Sequence, residues 1–424
     1  MLQVSQIRQN KEQILKRLSK RNADFSAAIE EVLKLDEERK TTQNELDAIL
    51  AEGNQLAKQV GDLYKAGKTE EANAIKGRST ELKERSHTLK ERMQVAEDAI
   101  QKLLWTIPNA PSDIVPAGRT PEDNEVVSTG GKIPDLVESK KPHWDLASEY
   151  DLIDFDLGAK ITGAGFPVYK GKGAKLQRAL INFFLDQAAN AGYNEVMPPH
   201  LVNEESGFGT GQLPDKEGQM YHVGVDNLYL IPTAEVPVTN IYRDVILREE
   251  ELPIKLTAYS PCFRREAGSY GKDVRGLNRL HQFDKVEVVQ IAHPDQSYEI
   301  LDTMVKHVES LLIKLELPYR ILRLCGGDMG FTSALTYDLE VYSAAQERWL
   351  EVSSVSNFET FQANRLKCRF KGNDGKPQLV HTLNGSALAL PRIVASLLEN
   401  NQVADGIRIP AALVPYTGFN KITA

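Results

Sequence analysis

The residue pattern predicts an α+β protein in two parts: an N-terminal antiparallel coiled-coil hairpin, then a domain built on a largely antiparallel sheet flanked by helices. Two observations carry this. Apolar residues keep heptad spacing through two consecutive runs between residues 32 and 103. After about residue 130 the heptads give way to short β-rich runs mixed with helical ones, without regular βαβ alternation and without a Gly-rich first turn. At 424 residues the chain exceeds one domain by the length prior. The expected parts are an N-terminal domain over 1–104, a Pro-rich linker over 105–130 and a second domain over 131–424.

In the first run Val32, Leu35, Arg39, Thr42, Leu46, Ile49, Gly53, Leu56, Val60 and Leu63 alternate spacings of three and four. In the second, Ile75, Leu82, Leu89, Ala96 and Leu103 recur every seven, with Ser79, Ser86, Met93 and Ile100 between them. Tyr64 to Thr69 reads as the turn, with Thr69 as N-cap and Glu70 and Glu71 in the first helical turn. Two helices of similar length joined by a short turn fold back antiparallel. Each spans roughly 50 Å at 1.5 Å per residue. Arg39, Thr42, Gly53, Ser79 and Ser86 in the seam predict mediocre packing and some flexibility. The second helix carries Lys76, Arg78, Lys83, Arg85, Lys90 and Arg92 against Glu81, Glu84 and Glu91. On pattern alone this is a solvated face with i,i+4 pairs. Pro108, Pro111, Pro116 and Pro121 end the helix and mark the linker. Beyond it, Leu228–Ile231 and Lys285–Ile291 read as strands, and Lys175–Gly192 and Pro294–Leu317 as helices.

Bulk properties narrow the class. Apolar residues make up 41% and charged residues 26%, ordinary for a globular protein. No stretch approaches the roughly 18 apolar residues of a membrane helix, and Met1 to Lys20 has no apolar signal region. The net charge of −8 points away from a generic nucleic-acid binder, although it is blind to local patches. Cys262, Cys325 and Cys368 lie far apart, with no C-x-x-C or Cys/His box. Neither a disulfide framework nor a structural zinc site is indicated, and reduced thiols in a cytoplasmic protein are expected.

Chemistry concentrates in Ser260–Glu266, then Arg279, Phe283 and Glu287, and finally Gly385–Arg392. Read as a strand, the first piece turns Cys262, Arg264 and Glu266 to one face and Phe263 and Arg265 to the other. A guanidinium and a carboxylate on one face suit a nucleotide, since Arg makes bidentate contacts to phosphate or carboxylate oxygens. The second piece is a small-residue stretch that suits a helix aiming Arg392 at a phosphate. Alone, Arg264 and Glu266 could equally be a structural ion pair, and Phe283 a core residue. Gly171–Lys175 lacks the spacing of a phosphate loop and reads as a turn before a helix. Glu287, inside Val286–Val289, needs a partner or a ligand to sit in a strand.

Phe263-Arg264-Arg265-Glu266 with the long loop after it, and Gly385 to Arg392, resemble motifs 2 and 3 of the class II aminoacyl-tRNA synthetases, and Gly192 to Leu201 resembles motif 1. Thr233-Ala234-Glu235, Glu287, Glu351-Val352-Ser353-Ser354 and Asn384-Gly385-Ser386, with the N-terminal hairpin, narrow the resemblance to the bacterial-type seryl-tRNA synthetases over essentially the whole chain. The resemblance implies a class II catalytic domain that joins L-serine to tRNA(Ser), and also to tRNA(Sec), using ATP and Mg²⁺. It assigns Arg264 to the α-phosphate and serine carboxylate and Glu266 to the adenine amino group. Phe283 would stack on adenine, with Arg279 beside the phosphates and Arg392 on the terminal phosphate. Arg265, Val352 and Ser353 complete the implied ATP set, and Glu351 and Ser354 would take Mg²⁺. Thr233, Ala234, Glu235, Glu287, Asn384 and Ser386 are the implied serine set, with Glu287 and Ser386 on its hydroxyl. Lys83, Arg85, Lys90 and Arg92 become a tRNA-contacting strip, and motif 1 implies a homodimer that binds tRNA across both subunits. An amino acid:carrier-protein ligase on the same core would lack the hairpin. A regulatory or scaffolding paralogue should have lost some of Arg264, Glu266, Glu287, Glu351 or Arg392, and none is lost.

Overall fold

The computed structural model describes residues 1–136, 140–215, 217–267, 275–372 and 375–423. The chain divides into two compact units, Met1–Ser19 with Ala23–Pro108, and Lys20–Asn22 with Asn109–Ala424.

The first unit has two short helices, Val4–Gln9 and Lys11–Leu18, ahead of the long pair α1 (Ser26–Lys65) and α2 (Thr69–Leu104). The turn between them is a Schellman motif. Gly67 takes a left-handed φ of 73°, Lys68 N–H bonds to Leu63 O and Gly67 N–H to Tyr64 O. Thr69 is the first helical residue, and Lys68, not Thr69, holds the cap position without a side-chain bond. The seam buries Leu46, Ile49, Leu82 and Leu89 together. Leu103 is only half-buried, and its neighbour Leu104 turns inward instead. Asp36, 3% exposed beside half-buried Leu35, enters the packed face because Arg39 and Arg8 neutralise it. Toward the tip, Gly53, Leu56, Val60 and Leu63 are only partly covered, which fits the mediocre packing expected there.

The second unit is built on an eight-stranded sheet, with strands β1 (Glu125–Gly130), β2 (Asn194–Glu195), β3 (Ile254–Phe263), β4 (Gln282–Ala292), β5 (Tyr319–Arg323), β6 (Leu335–Ser343), β7 (Arg348–Asn357) and β8 (His381–Ala389). Their order is β1-β5-β6-β7-β8-β4-β3-β2. Every pairing is antiparallel except β2 on β3. Helices α3 (Gly171–Asn190), α4 (Glu235–Asn240), α5 (Ser297–Lys314), α6 (Thr360–Leu366) and α7 (Leu390–Asn400) accompany it. The core gathers Phe183 and Phe184 of α3, Leu311 and Leu312 of α5 and Leu397 and Leu398 of α7 against Val286 and Val288 of β4. No described helix is long and apolar enough to cross a membrane.

Several expectations shift. Residues 109–130, expected as part of a linker, belong to the second unit. Buried Asn109 donates to Thr332 O and Phe358 O, and β1 pairs with β5. Lys20 Nζ reaches Ser112, Asp113 and Val115 carbonyls, and Arg21 those of Asn109 and Met329, so these cations replace the solvent a Pro-rich segment would otherwise need. The alternation expected through Glu266 stops at Phe263. Arg264 N–H bonds to His281 O, Arg265 N–H to Gln219 O, and Glu266 takes a φ of 47°. The stretch Gly385–Ala389 is the end of a buried strand rather than a helix. A Cβ on Gly385 would stand 3.0 Å from a Val355 methyl, so glycine at this position lets β8 pack closely beside β7. The helix begins only at Leu390, helped by Pro391 in its first turn. Likewise Gly171–Lys175 is already the first turn of α3. Residues 268–274, most of the loop expected after Glu266, lie outside the described residues.

Candidate active site

Strand β4 supplies the floor. Its period of two turns Phe283, Lys285 and Glu287 to one face, and the register sets Glu287 opposite Ser386 of β8 and Ala258 of β3. A carboxylate at 2% exposure in a central strand needs compensation. Lys285 Nζ lies 2.6 Å from Glu287 Oε2, and Thr233 Oγ1 donates to the same oxygen at 3.2 Å. Thr233 Oγ1 in turn accepts Glu235 N–H, and Ala234 is the buried N-cap of α4. Lys285 is the residue the motif reading missed, though its signal was in the sequence: two positions before Glu287 in a strand is the same face.

Glu235 is the second buried acid, 7% exposed. Burial first, and then the charge of Glu287, push its carboxyl up to about 7, while Gln362 and Asn384 hydrogen bonds and Lys285 pull partly back. Gln362 Nε2 donates to Glu235 Oε1 at 2.6 Å, and Thr382 Oγ1 holds Gln362 Oε1 at 2.7 Å. Gln362 comes from α6, with no local pattern that would announce it. Asn384 and Ser386 are 9% and 8% exposed on β8, and Ser353 Oγ donates to Ser386 O. Thr233, Glu235, Glu287, Asn384 and Ser386 thus come together in one small polar recess, ringed by donors and acceptors and nearly closed to water.

A second group adjoins it. The Arg264 guanidinium lies 5.3 Å from the centre of the Phe283 ring, and its Nε donates to Pro232 O. Arg279 pairs with Glu266 at 2.9 Å. Arg392, in the first turn of α7, donates from Nε to Asn278 O and from Nη1 to Glu351 O. Ser354 Oγ donates to Glu351 Oε1 at 3.3 Å. Val352 sits in the bulge between the Leu339–Ser353 and Glu340–Glu351 pairs with its side chain in the core. Ser353 Oγ is already committed to Ser386 O, and Arg265 lies past the strand end. A cleft of about 800 Å³ runs from Glu351 and Ser354 along Asp338, Glu340 and Arg320. Asp338, opposite Ser354, was not foreseen. Its Oδ1 has no hydrogen-bond partner among the described residues, and burial, with Glu351 nearby, holds its carboxyl well above the usual range.

On α2, Lys83, Arg85, Lys90 and Arg92 are all exposed, and none forms an ion pair within the described residues. Arg78 follows the solvated-face reading, paired with Glu81 and with Glu52.

The seryl-tRNA synthetase N-terminal domain profile matches residues 1–111, and the tRNA synthetase class II core domain (G, H, P, S and T) matches residues 221–401. The chain is 54% identical to the serine–tRNA ligase of Salinibacter ruber and 47% identical to that of Chlorobaculum parvum, each over the full length of both proteins. Its structure resembles the crystal structure of seryl-tRNA synthetase from Pyrococcus horikoshii complexed with ATP, with a TM-score of 0.93 and 34% identity over 100% of this chain and 99% of that one. The chain therefore belongs to the seryl-tRNA synthetases, as an ATP-dependent serine–tRNA ligase with a class II catalytic domain behind a helical N-terminal arm.

Proposed function

We propose that the polar recess of Thr233, Ala234, Glu235, Glu287, Asn384 and Ser386 binds L-serine, and that Arg264, Arg265, Glu266, Arg279, Phe283, Glu351–Ser354 and Arg392 bind ATP. The observation that carries this is the buried pair Glu235 and Glu287, two acids held ready for an ammonium and a hydroxyl. A site built to hydrogen-bond a hydroxyl rejects alanine because its own polar groups would go unpaired. The serine carboxylate oxygen bonds to the α-phosphorus while the bond to pyrophosphate breaks. Arg264 and Arg392 are the catalytic residues, stabilising the charge that develops on the phosphoryl oxygens. The terminal ribose hydroxyl of tRNA then attacks the seryl carbonyl and AMP leaves. The test is exchange of labelled pyrophosphate into ATP across a panel of amino acids. Exchange with serine alone is expected, and equal exchange with alanine or threonine would sink the pocket assignment.

Mg²⁺ accompanying ATP fits the donors present. Glu351 and Ser354 offer hard oxygens, and their number suits a cation that takes its other ligands from phosphate and water. Bound there, Mg²⁺ would neutralise phosphate charge.

Serine affinity should follow the state of Glu235. The folded carboxyl is raised to about 7 and its unfolded value is 4.5, so between those pH values the folded protein holds a proton that the unfolded chain has released. That contribution to stability is lost as pH rises through the window. An ammonium ligand prefers the ionised acid, so KM for serine should fall as pH rises through about 7 while KM for ATP stays level. Glu235→Gln should flatten the profile, and a serine KM independent of pH in the unmodified enzyme would contradict the assignment.

The arm over residues 1–104 is proposed as the tRNA-binding domain. Its support is the unpaired strip Lys83, Arg85, Lys90 and Arg92, since free cations on a helix suit phosphates. The proposal extends to tRNA(Sec) beside tRNA(Ser), and charging of both transcripts by the same preparation is its check. A homodimer is also proposed, binding tRNA across both subunits. Met197 in the motif 1 segment is 90% exposed and Leu201 is 41% exposed, apolar surface that a partner would cover. Light scattering should give twice the 47.3 kDa of the chain, and a fully active monomer at the same concentration would overturn this. A cytoplasmic setting goes with these substrates and with three free cysteines.

A further inference from the structure

We propose that His143 and Trp144 are positioning residues that clamp residues 275–278 and thereby fix Arg392 for ATP; this rests on the nucleotide reading given above. Both residues open the helix His143–Glu149, in a stretch to which no motif assigns a role.

The imidazole of His143 and the carboxylate of Glu399 are both fully buried, with Nδ1 and Oε1 2.7 Å apart. The His143 backbone N–H donates to the same oxygen. On the far side of the ring, Nε2 accepts Leu277 N–H at 2.8 Å. A nitrogen that accepts carries no proton, so the network assigns the neutral ring with hydrogen on Nδ1. The ring also packs closely onto Gly276. That residue has a φ of 67°, and a Cβ added there would stand 2.2 Å from Nε2. Beside it, the Arg275 guanidinium lies 4.7 Å from the Trp144 ring. Two neighbouring side chains therefore contact three consecutive residues, Trp144 through the Arg275 side chain and His143 through the backbone of Gly276 and Leu277.

The next residue is where the clamp meets the phosphate-binding group. Asn278 O accepts Arg392 Nε, and Asn278 Nδ2 donates to Gln346 Oε1. Gln346 Nε2 donates to Glu399 Oε1, and Ser343 Oγ to Glu399 Oε2. Arg392 and Glu399 are seven residues apart on α7, about two turns and so on one face. The path from Arg392 through Asn278, Leu277, His143 and Glu399 returns to the helix that carries Arg392. A buried His–Glu pair that merely joined two core elements would not end on the peptide beside Asn278. Phosphate contacts need such placement, because an arginine displaced by about 1 Å loses much of its preference for the transition state.

The experiment is pyrophosphate exchange by the full-length enzyme, with KM for ATP, KM for serine, kcat and Tm measured on each variant. His143→Phe fills the ring volume without either hydrogen bond. Trp144→Leu keeps an apolar side chain without a π face. KM for ATP should rise about tenfold in the first and several-fold in the second, with KM for serine within about twofold of the parent. His143→Gln, whose amide can accept from Leu277 and donate to Glu399, and Trp144→Phe should restore most of the ATP affinity. If His143→Phe does not fold, the Trp144 pair and Arg275→Ala at the exposed end decide the matter. Lower Tm with unchanged ATP kinetics, or ATP and serine constants rising together, would overturn the clamp. Arg392→Ala separates the layers. If it is defective toward ATP while the clamp variants are normal, the clamp alone fails. If Arg392→Ala is itself normal toward ATP, the nucleotide reading fails and the clamp with it.

Discussion

Glu287→Ala is expected to abolish serine-dependent pyrophosphate exchange while ATP binding stays within about threefold of the parent, since Glu287 bonds to Lys285 and Thr233 and to none of the side chains proposed to hold ATP. It removes the carboxylate shared by Lys285 and Thr233. It leaves a buried ammonium at 7% side-chain exposure without its paired carboxylate, which costs roughly 3–5 kcal/mol when one member of a buried pair is deleted. Part of the damage would therefore fall on stability. Glu287→Gln separates the two effects, because the amide keeps the volume and can still accept from Thr233 and Lys285, but brings no charge for an ammonium or strong acceptor for a hydroxyl. Both variants should bind ATP, since Arg264, Arg279, Glu351 and Arg392 make no bond to Glu287. Ser386→Ala should be milder in the same direction, as one neutral hydrogen bond contributes about 0.5–1.5 kcal/mol. Calorimetric titration with ATP and with serine checks this, and equal losses of both affinities in Glu287→Gln would show that the recess is not where serine binds.

How far the sequence reached follows from the range of each signal. The hairpin was legible because heptads repeat a local pattern many times, and small errors, such as Leu103 for Leu104 or Thr69 for Lys68, cost nothing in the topology. The sheet's antiparallel character was legible from the missing βαβ alternation, but its strand order was not, because β8 enters between β4 and β7 from about ninety residues beyond the end of β4. Glu287 announced itself as a charge out of place in an apolar strand. Lys285 could have been read with it from the period of two. Gln362 and Asp338 could not, since each reaches its site by tertiary packing alone and neither breaks a local rule. The helix expected at Gly385–Arg392 failed for a related reason. The run of small residues carries no strand signal of its own, and at Gly385 the space a side chain would need is taken by Val355 of the next strand. Residues 109–130 of the expected linker pack into the second unit because Lys20 and Arg21, far away in sequence, bind the segment down, whereas prolines signal only a break in regular structure.

Removing the hairpin should split the two halves of the reaction. With Ser26 to Leu104 replaced by a short Gly/Ser linker, serine-dependent pyrophosphate exchange should stay nearly intact, because every residue proposed to touch serine or ATP lies at Thr233 or beyond. Charging of tRNA(Ser) should collapse. The paired helices have 40 and 36 residues, and the next longest described helix has only 20, so no other described helix has comparable reach. At 1.5 Å per residue the longer arm helix extends about 60 Å. Charge reversal at Lys83, Arg85, Lys90 and Arg92 gives a version that leaves the seam untouched, since all four point to solvent and the packing rests on Leu46, Ile49, Leu82 and Leu89. It should weaken tRNA binding and flatten its salt dependence, as each phosphate contact removed takes about 0.9 from the slope of log K against log salt on a duplex. Exchange activity of that variant should be unchanged. The chain's net charge of −8 opposes this reading in bulk, so the salt slope is the discriminating measurement. An unchanged slope in the reversal variant, or full-rate charging by the arm-deleted protein at the same tRNA concentration, would mean that the hairpin serves another partner or none.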